Sequence, residues 1–159
     1  MKYELTDETH PYRSTLHRIR AVRDIPERGV KSSDLGGWVE SESNLDQTGD
    51  AWVYGNAQVS GNAWVSGTAQ VSGDAEVYGA RHVTTLGPVG SENRTATIYR
   101  NKDGTARIVA GCWTGTPDEL AKRITDAWLA ANPTDRKAWA SDYTTVIKLA
   151  RRREKEWNK

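Results

Sequence analysis

The sequence predicts a mainly β protein: a short parallel β-helix of six-residue repeats, followed by an α+β cap of one β-hairpin and two helices. Three observations predict it. From Ala51 the chain reads AWVYGN, AQVSGN, AWVSGT, AQVSGD, AEVYGA and RHVTTL, so that Val53, Val59, Val65, Val71, Val77 and Val83 recur every six residues. Residues 95–110 hold two alternating runs around Asn101-Lys102-Asp103-Gly104. Beyond Thr116 come two segments of helical periodicity, the first opened by a capping signal.

The first 36 residues are expected to cap the repeat, with a strand near Leu16–Val22, a turn around Pro26–Gly29 and an approach through Gly36 and Gly37. A cap is needed because a short stack leaves unpaired backbone and an open apolar core at each end.

Residues 37–86 form the repeat. A period of six suits no face of a 3.6-residue helix, and a glycine every second turn would cost about 1 kcal/mol each. In a strand, residues two apart share a face, so each Ala-x-Val pair points inward while its neighbours point out. Glycine then sits at the bends, where positive φ costs it nothing. Three short strands and three bends make one coil of about eighteen residues, and coils stack as parallel sheets roughly 4.8 Å apart. Upstream the register is expected to persist in degraded form, with Val39 and Leu45 at the alanine position and Gly49 at the glycine position. Stacking by eighteen places Trp52 and Tyr54 over Gln70 and Ser72, Gln58 and Ser60 over Glu76 and Tyr78, and Trp64 and Ser66 over His82 and Thr84. Two outer faces are thus expected to display tryptophan, which is enriched at interfaces.

Residues 87–159 form the second cap. Thr95–Arg100 and Thr105–Ala110 alternate like strands around the turn residues. Thr116 is a good N-cap, with Pro117 at the first helical position and Glu119 completing a capping box. The stripe Leu120, Ile124, Ala127 and Trp128 faces the core, and Asn132-Pro133 ends the helix. A second helix carries Tyr143, Val146, Ile147 and Ala150 on one face, with Trp139 in a preceding turn.

The G-[NDT]-A-x-V-[SY] hexads resemble the left-handed parallel β-helix of hexapeptide-repeat proteins over roughly residues 37–86. That resemblance implies a left-handed coil and a homotrimer. The stretches RIRAVRDI, DLGGWVESESNLDQTGDAWVYGNAQVSG and GCWTGTPDEL are similar to small proteins of phages and prophages. They imply a viral origin and a place in the host cytoplasm.

Function is then read by elimination. The chain has 159 residues, one cysteine and a formal net charge of +1, spread unevenly: seven Lys/Arg against ten Asp/Glu in residues 1–50, and fourteen against nine in residues 91–159. No apolar run approaches the length of a membrane span or a signal-peptide core. The basic tail Arg151, Arg152, Arg153 and Lys155 reads as a solvated helix end with cations at the negative pole of its dipole, so nucleic acid is not an expected partner. Cys112 reads as a small buried apolar residue. His10, His17 and His82 show no zinc-ligand spacing, as a γ-class carbonic anhydrase would need, so no metal and no cofactor is expected. An acyltransferase like those of the hexapeptide-repeat group would use His82 as general base with acetyl-CoA along the coils; this is the alternative reading.

The favoured reading is a non-catalytic binding protein, an antagonist of host antiviral defence that sequesters a small nucleotide-like signal between subunits or occludes a host protein. Stacking would come from Trp52, Tyr54, Trp64, Tyr78 and Tyr99, and phosphate contacts from Arg81, Arg100, Lys102 and Arg107, with His82 nearby. A structural or assembly scaffold without a ligand is the third reading.

Overall fold

A computed structural model describes residues 1–90, 92–130 and 133–159, with the side chains of 127–130 and 133–138 left out. Among the described residues it is mainly β, with eleven strands and two α-helices. The chain forms two compact units, Met1–Val83 and Thr84–Lys159.

The first unit opens with a hairpin of β1 (Tyr3–His10) and β2 (Arg13–Ala21). Only β2 was expected. β2 pairs antiparallel with β3 (Leu35–Val39), and β3 starts a parallel ladder with β5 (Gln58–Val59) and β7 (Glu76–Val77). The result is one mixed five-stranded sheet in the order β1-β2-β3-β5-β7. The hairpin therefore caps by pairing, covering the edge that β3 would leave open. Gly36 and Gly37 lie inside β3, and their missing side chains are what let it close on the core. A Cβ at Gly36 would sit 2.6 Å from the Ile19 side chain, and one at Gly37 2.6 Å from Val53 Cγ1.

A second parallel ladder joins β4 (Trp52–Val53) to β6 (Gln70–Val71), and an isolated parallel bridge joins Leu45 to Val65. Successive turns of chain thus pair on three sides. The alanines at 51, 57, 63, 69 and 75 and the valines at 53, 59, 65, 71 and 77 are all at most 1% exposed, as the alternation requires. Glycines 55, 61, 67 and 73 take φ of +56° to +63°, whereas Gly79 does not.

The register differs from expectation at the first turn. Val53 pairs with Val71 and Val59 with Val77, eighteen residues on, but Val39 pairs with Val59 and Leu45 with Val65, twenty on. Val39 and Leu45 therefore hold the valine position, not the alanine position. The cause is two extra residues within Asp46-Gln47-Thr48; by Asp50, whose N–H donates to Gly67 O, the usual step is restored. This inserted loop receives the N-terminus. Gln47 Oε1 accepts the backbone N–H groups of Lys2 and Tyr3, and the fully buried Lys2 Nζ donates to Ala51 O at 2.8 Å and Thr48 O at 3.3 Å. Tyr3, also fully buried, donates its hydroxyl to Leu45 O at 2.6 Å. Burial pulls the Lys2 ammonium down to about 8 and pushes the Tyr3 phenol up to about 12.

The last hexad leaves the coil. Val83 is half-buried and opens β8 (Val83–Val89), which lies beside β9 (Arg94–Arg100); among the described residues no ladder runs from Val65 to Val83. The expected stacking of Trp64 under His82 is not formed as a rung, because His82 N–H closes a turn onto Gly79 O.

The second unit is a four-stranded sheet in the order β11-β10-β9-β8, with β10 at Ala106–Ala110 pairing antiparallel with both β9 and β11 (Trp113–Gly115). The expected hairpin forms in register, Ile98 opposite Ile108. Helices α1 (Pro117–Ala130) and α2 (Pro133–Trp157) bury Leu120, Val146, Ile147 and Ala150 with Ala96, Ile98, Ala106 and Ile108. The capping box is in place: Thr116 Oγ1 accepts Glu119 N–H, and Glu119 Oε2 accepts Thr116 N–H. Trp139 lies within α2, not in a turn before it. The side chains of Ala127 and Trp128, and Asn132, lie outside the described residues. No helix among the described residues is long and apolar enough to cross a membrane.

Candidate functional site

The residues expected to form a site are divided between the two units, Trp52, Tyr54, Trp64, Tyr78, Arg81 and His82 in the first and Tyr99, Arg100, Lys102 and Arg107 in the second. In the first unit, Trp52 is 1% exposed and packs edge-on against Tyr3 with ring centres 6.4 Å apart. The N-terminal segment covers its face, so it offers no surface for stacking. Tyr54 is half-buried and donates to Arg28 O, and burial raises its phenol above the usual range. Trp64 is 60% exposed and Tyr78 48%. Tyr78 meets the His82 ring edge to face at 4.3 Å, and its backbone N–H donates to His82 Nδ1; Arg81 is exposed in the same turn. In the second unit, Tyr99 is 2% exposed, which removes it as a stacking platform. Arg107 lies opposite it in the sheet, Arg100 donates to Asn101 O, and Lys102 is exposed in the hairpin turn.

The second unit contains a different constellation. A cavity of about 340 Å³ is lined by Glu92, Arg94, Ala110, Cys112, Trp113, Leu120, Arg123, Ile124, Trp139 and Tyr143. That is the lower end of the size range of small-molecule sites, roughly 300–1,000 Å³. Its floor is apolar and comes from α1 and the sheet, through Leu120, Ile124 and Ala110. Trp139 and Tyr143, one turn apart on α2, meet edge to face at 6.3 Å. Burial raises the Tyr143 phenol, against the opposing pull of Arg94.

The turn between β10 and β11 supplies the rim. Ala110 pairs with Trp113, leaving Gly111 and Cys112 as a two-residue loop with positive φ at Gly111, the position where such a loop needs glycine. Cys112 is exposed at this tip, which corrects the reading of it as buried. Gly111 also makes room for Arg94, since a Cβ there would lie 2.8 Å from Arg94 Cδ. The Arg94 guanidinium binds Glu92 Oε2, through Nε at 2.7 Å and through a second nitrogen. The Arg123 side chain makes no hydrogen bond or ion pair among the described residues.

Two guanidinium groups, three aromatic rings and an apolar floor converge here from sequence positions 94 to 143. Only the Gly-Cys pair between two strand-like runs signals the rim in the sequence. Among the described residues, no cluster of three or more His, Cys, Asp or Glu could hold a metal ion. Comparison of the chain with protein families, with curated proteins and with solved structures finds no match.

Proposed function

We propose that the protein is a non-catalytic binding protein whose C-terminal unit takes a small anionic ligand bearing a flat ring, of nucleotide type. The observation that carries this reading is the convergence of Arg94 and Arg123 with Trp113, Trp139 and Tyr143 on one cavity. Arginine supplies forked donors for an anionic oxygen group, and the rings supply faces for a base.

Binding is preferred to acyl transfer for a reason visible at His82. Its Nδ1 accepts the Tyr78 N–H, which engages the nitrogen that the Nε2-protonated neutral ring would offer as base. The parallel ladders support reading residues 37–83 as a scaffold of hexapeptide-repeat type, left-handed as the resemblance implies. The same resemblance supports a homotrimer with exposed Trp64 at the contact, and a phage protein acting against host defence in the host cytoplasm.

Titrating the full-length protein with adenine and guanine nucleotides is expected to give saturable quenching of tryptophan fluorescence. Arg123→Gln should weaken binding about 10-fold or more, as for a lost charge-assisted hydrogen bond. Absence of saturation up to about 1 mM, equivalent to roughly −4 kcal/mol, overturns the reading.

A further inference from the structure

We infer that the cavity is charge-matched to a singly charged anion, a phosphodiester rather than a phosphate monoester. This rests on the binding reading above and names the class of ligand.

Among the described residues, three charged side chains line the cavity: Arg94, Arg123 and Glu92. Glu92 is bound to Arg94, so the charge of that guanidinium is already answered. Arg123 is left as the one lining cation without an ion pair among the described residues. Asp142, beside Tyr143 on α2, accepts the Gly90 N–H and does not line the cavity. The described lining therefore carries a net single positive charge.

A phosphate monoester carries about −1.5 to −2 near neutral pH. Its second charge would lie against the Glu92 carboxylate, a repulsion that is moderate because that side chain is 64% exposed. A phosphodiester carries one negative charge, which Arg123 answers. The ring of the same ligand can then lie against Trp113 or Trp139. Glu92 is thus a specificity residue: it leaves room for one anionic charge and no more.

The test uses full-length protein and three probes, 3′,5′-cyclic AMP, 5′-AMP and adenosine, measured by calorimetry, with the guanine series in parallel. The cyclic nucleotide is expected to bind at least 10-fold more tightly than the monophosphate or the nucleoside. Glu92→Gln frees Arg94 and should tighten 5′-AMP about 5- to 10-fold while changing the cyclic nucleotide less than about 3-fold. Because Cys112 is the only cysteine and lines the cavity, its alkylation by iodoacetamide reports occupancy, and the bound cyclic nucleotide should slow it. Equal or tighter binding of 5′-AMP, or an unchanged ratio in Glu92→Gln, overturns the charge match and leaves the binding function standing. Binding without protection of Cys112 places the ligand elsewhere and overturns the inference. No heat and no protection with any probe removes the inference and the proposed function together.

Discussion

The two units solve the problem of a buried core in opposite ways. The repeat uses the same two small residues at each rung, Ala and Val, and the same turn between rungs, so that one local rule is applied again and again. The C-terminal unit uses no rule twice: Leu120, Val146, Ile147, Ile98 and Ile108 meet once, from elements far apart in sequence. Where side chains repeat, each rung meets the next in the same way. Where they do not, imperfect closure between helices and sheet leaves a cavity lined by arginine and aromatic residues.

The contrast is sharpest for core substitutions. Val65→Asp should abolish the folded repeat, because an unpaired carboxylate in a fully buried apolar stack costs several kcal/mol. Hydrogen exchange should show protection lost across residues 37–83 and kept at Ile98 and Ile108. Loss in both units would break the distinction between two cores.

The next test asks whether the repeat's turns are truly equivalent. Gly61 and Gly67 share nearly the same φ, but a Cβ at 61 would lie 2.5 Å from Tyr78 O whereas one at 67 meets nothing within 4 Å. Gly67→Ala should cost about 1 kcal/mol, the strain of a left-handed alanine. Gly61→Ala should cost about two to three times as much in chemical denaturation, since steric overlap adds to the strain. Equal losses would make the turns interchangeable.

A smaller effect distinguishes the inserted loop from the regular turns. Unfolded, Lys2 keeps its proton up to 10.5, but folded only to about 8, so unfolding takes up a proton between these values and stability rises with pH there. The slope is at most about 1.4 kcal/mol per pH unit. Tyr3 acts in the other direction: its phenol ionises near 10 unfolded and about 12 folded, so stability falls across that interval. Melting temperatures from pH 7 to 11 should show the rise vanish in Lys2→Met and the fall vanish in Tyr3→Phe. The smallest effect is expected at Trp64. Trp64→Ser should change stability by less than about 0.5 kcal/mol, as for a surface site, while sedimentation should show the proposed trimer dissociate.

The sequence revealed most where its pattern was local. Six-residue spacing identified every buried Ala and Val from 51 to 77, and the Asn101–Gly104 turn and the Thr116 capping box stood where expected. The two extra residues in Asp46-Gln47-Thr48 escaped detection because the hexad around them lacks both alanine and valine. Burial of Trp52 depends on Tyr3, 49 positions earlier, and β1 itself has a register broken between Leu5 and Thr9 that blurs its alternation. The cavity was invisible for the same reason: Arg94, Trp113, Arg123 and Trp139 meet only after the sheet and helices have closed.

The eighteen-residue step between Gln58 and Glu76 has a consequence for the gene. Near-identical hexads in a coding sequence invite slippage during copying, and a slip of six codons would move each later hexad of the repeat onto the next face. Its inward Ala and Val would remain inward, so such a change would preserve the core while rearranging the surface. A slip of eighteen codons would lengthen or shorten the stack and return each later side chain to its own face. The repeat can therefore vary its display or its height by whole-hexad events, without acquiring a single new amino acid.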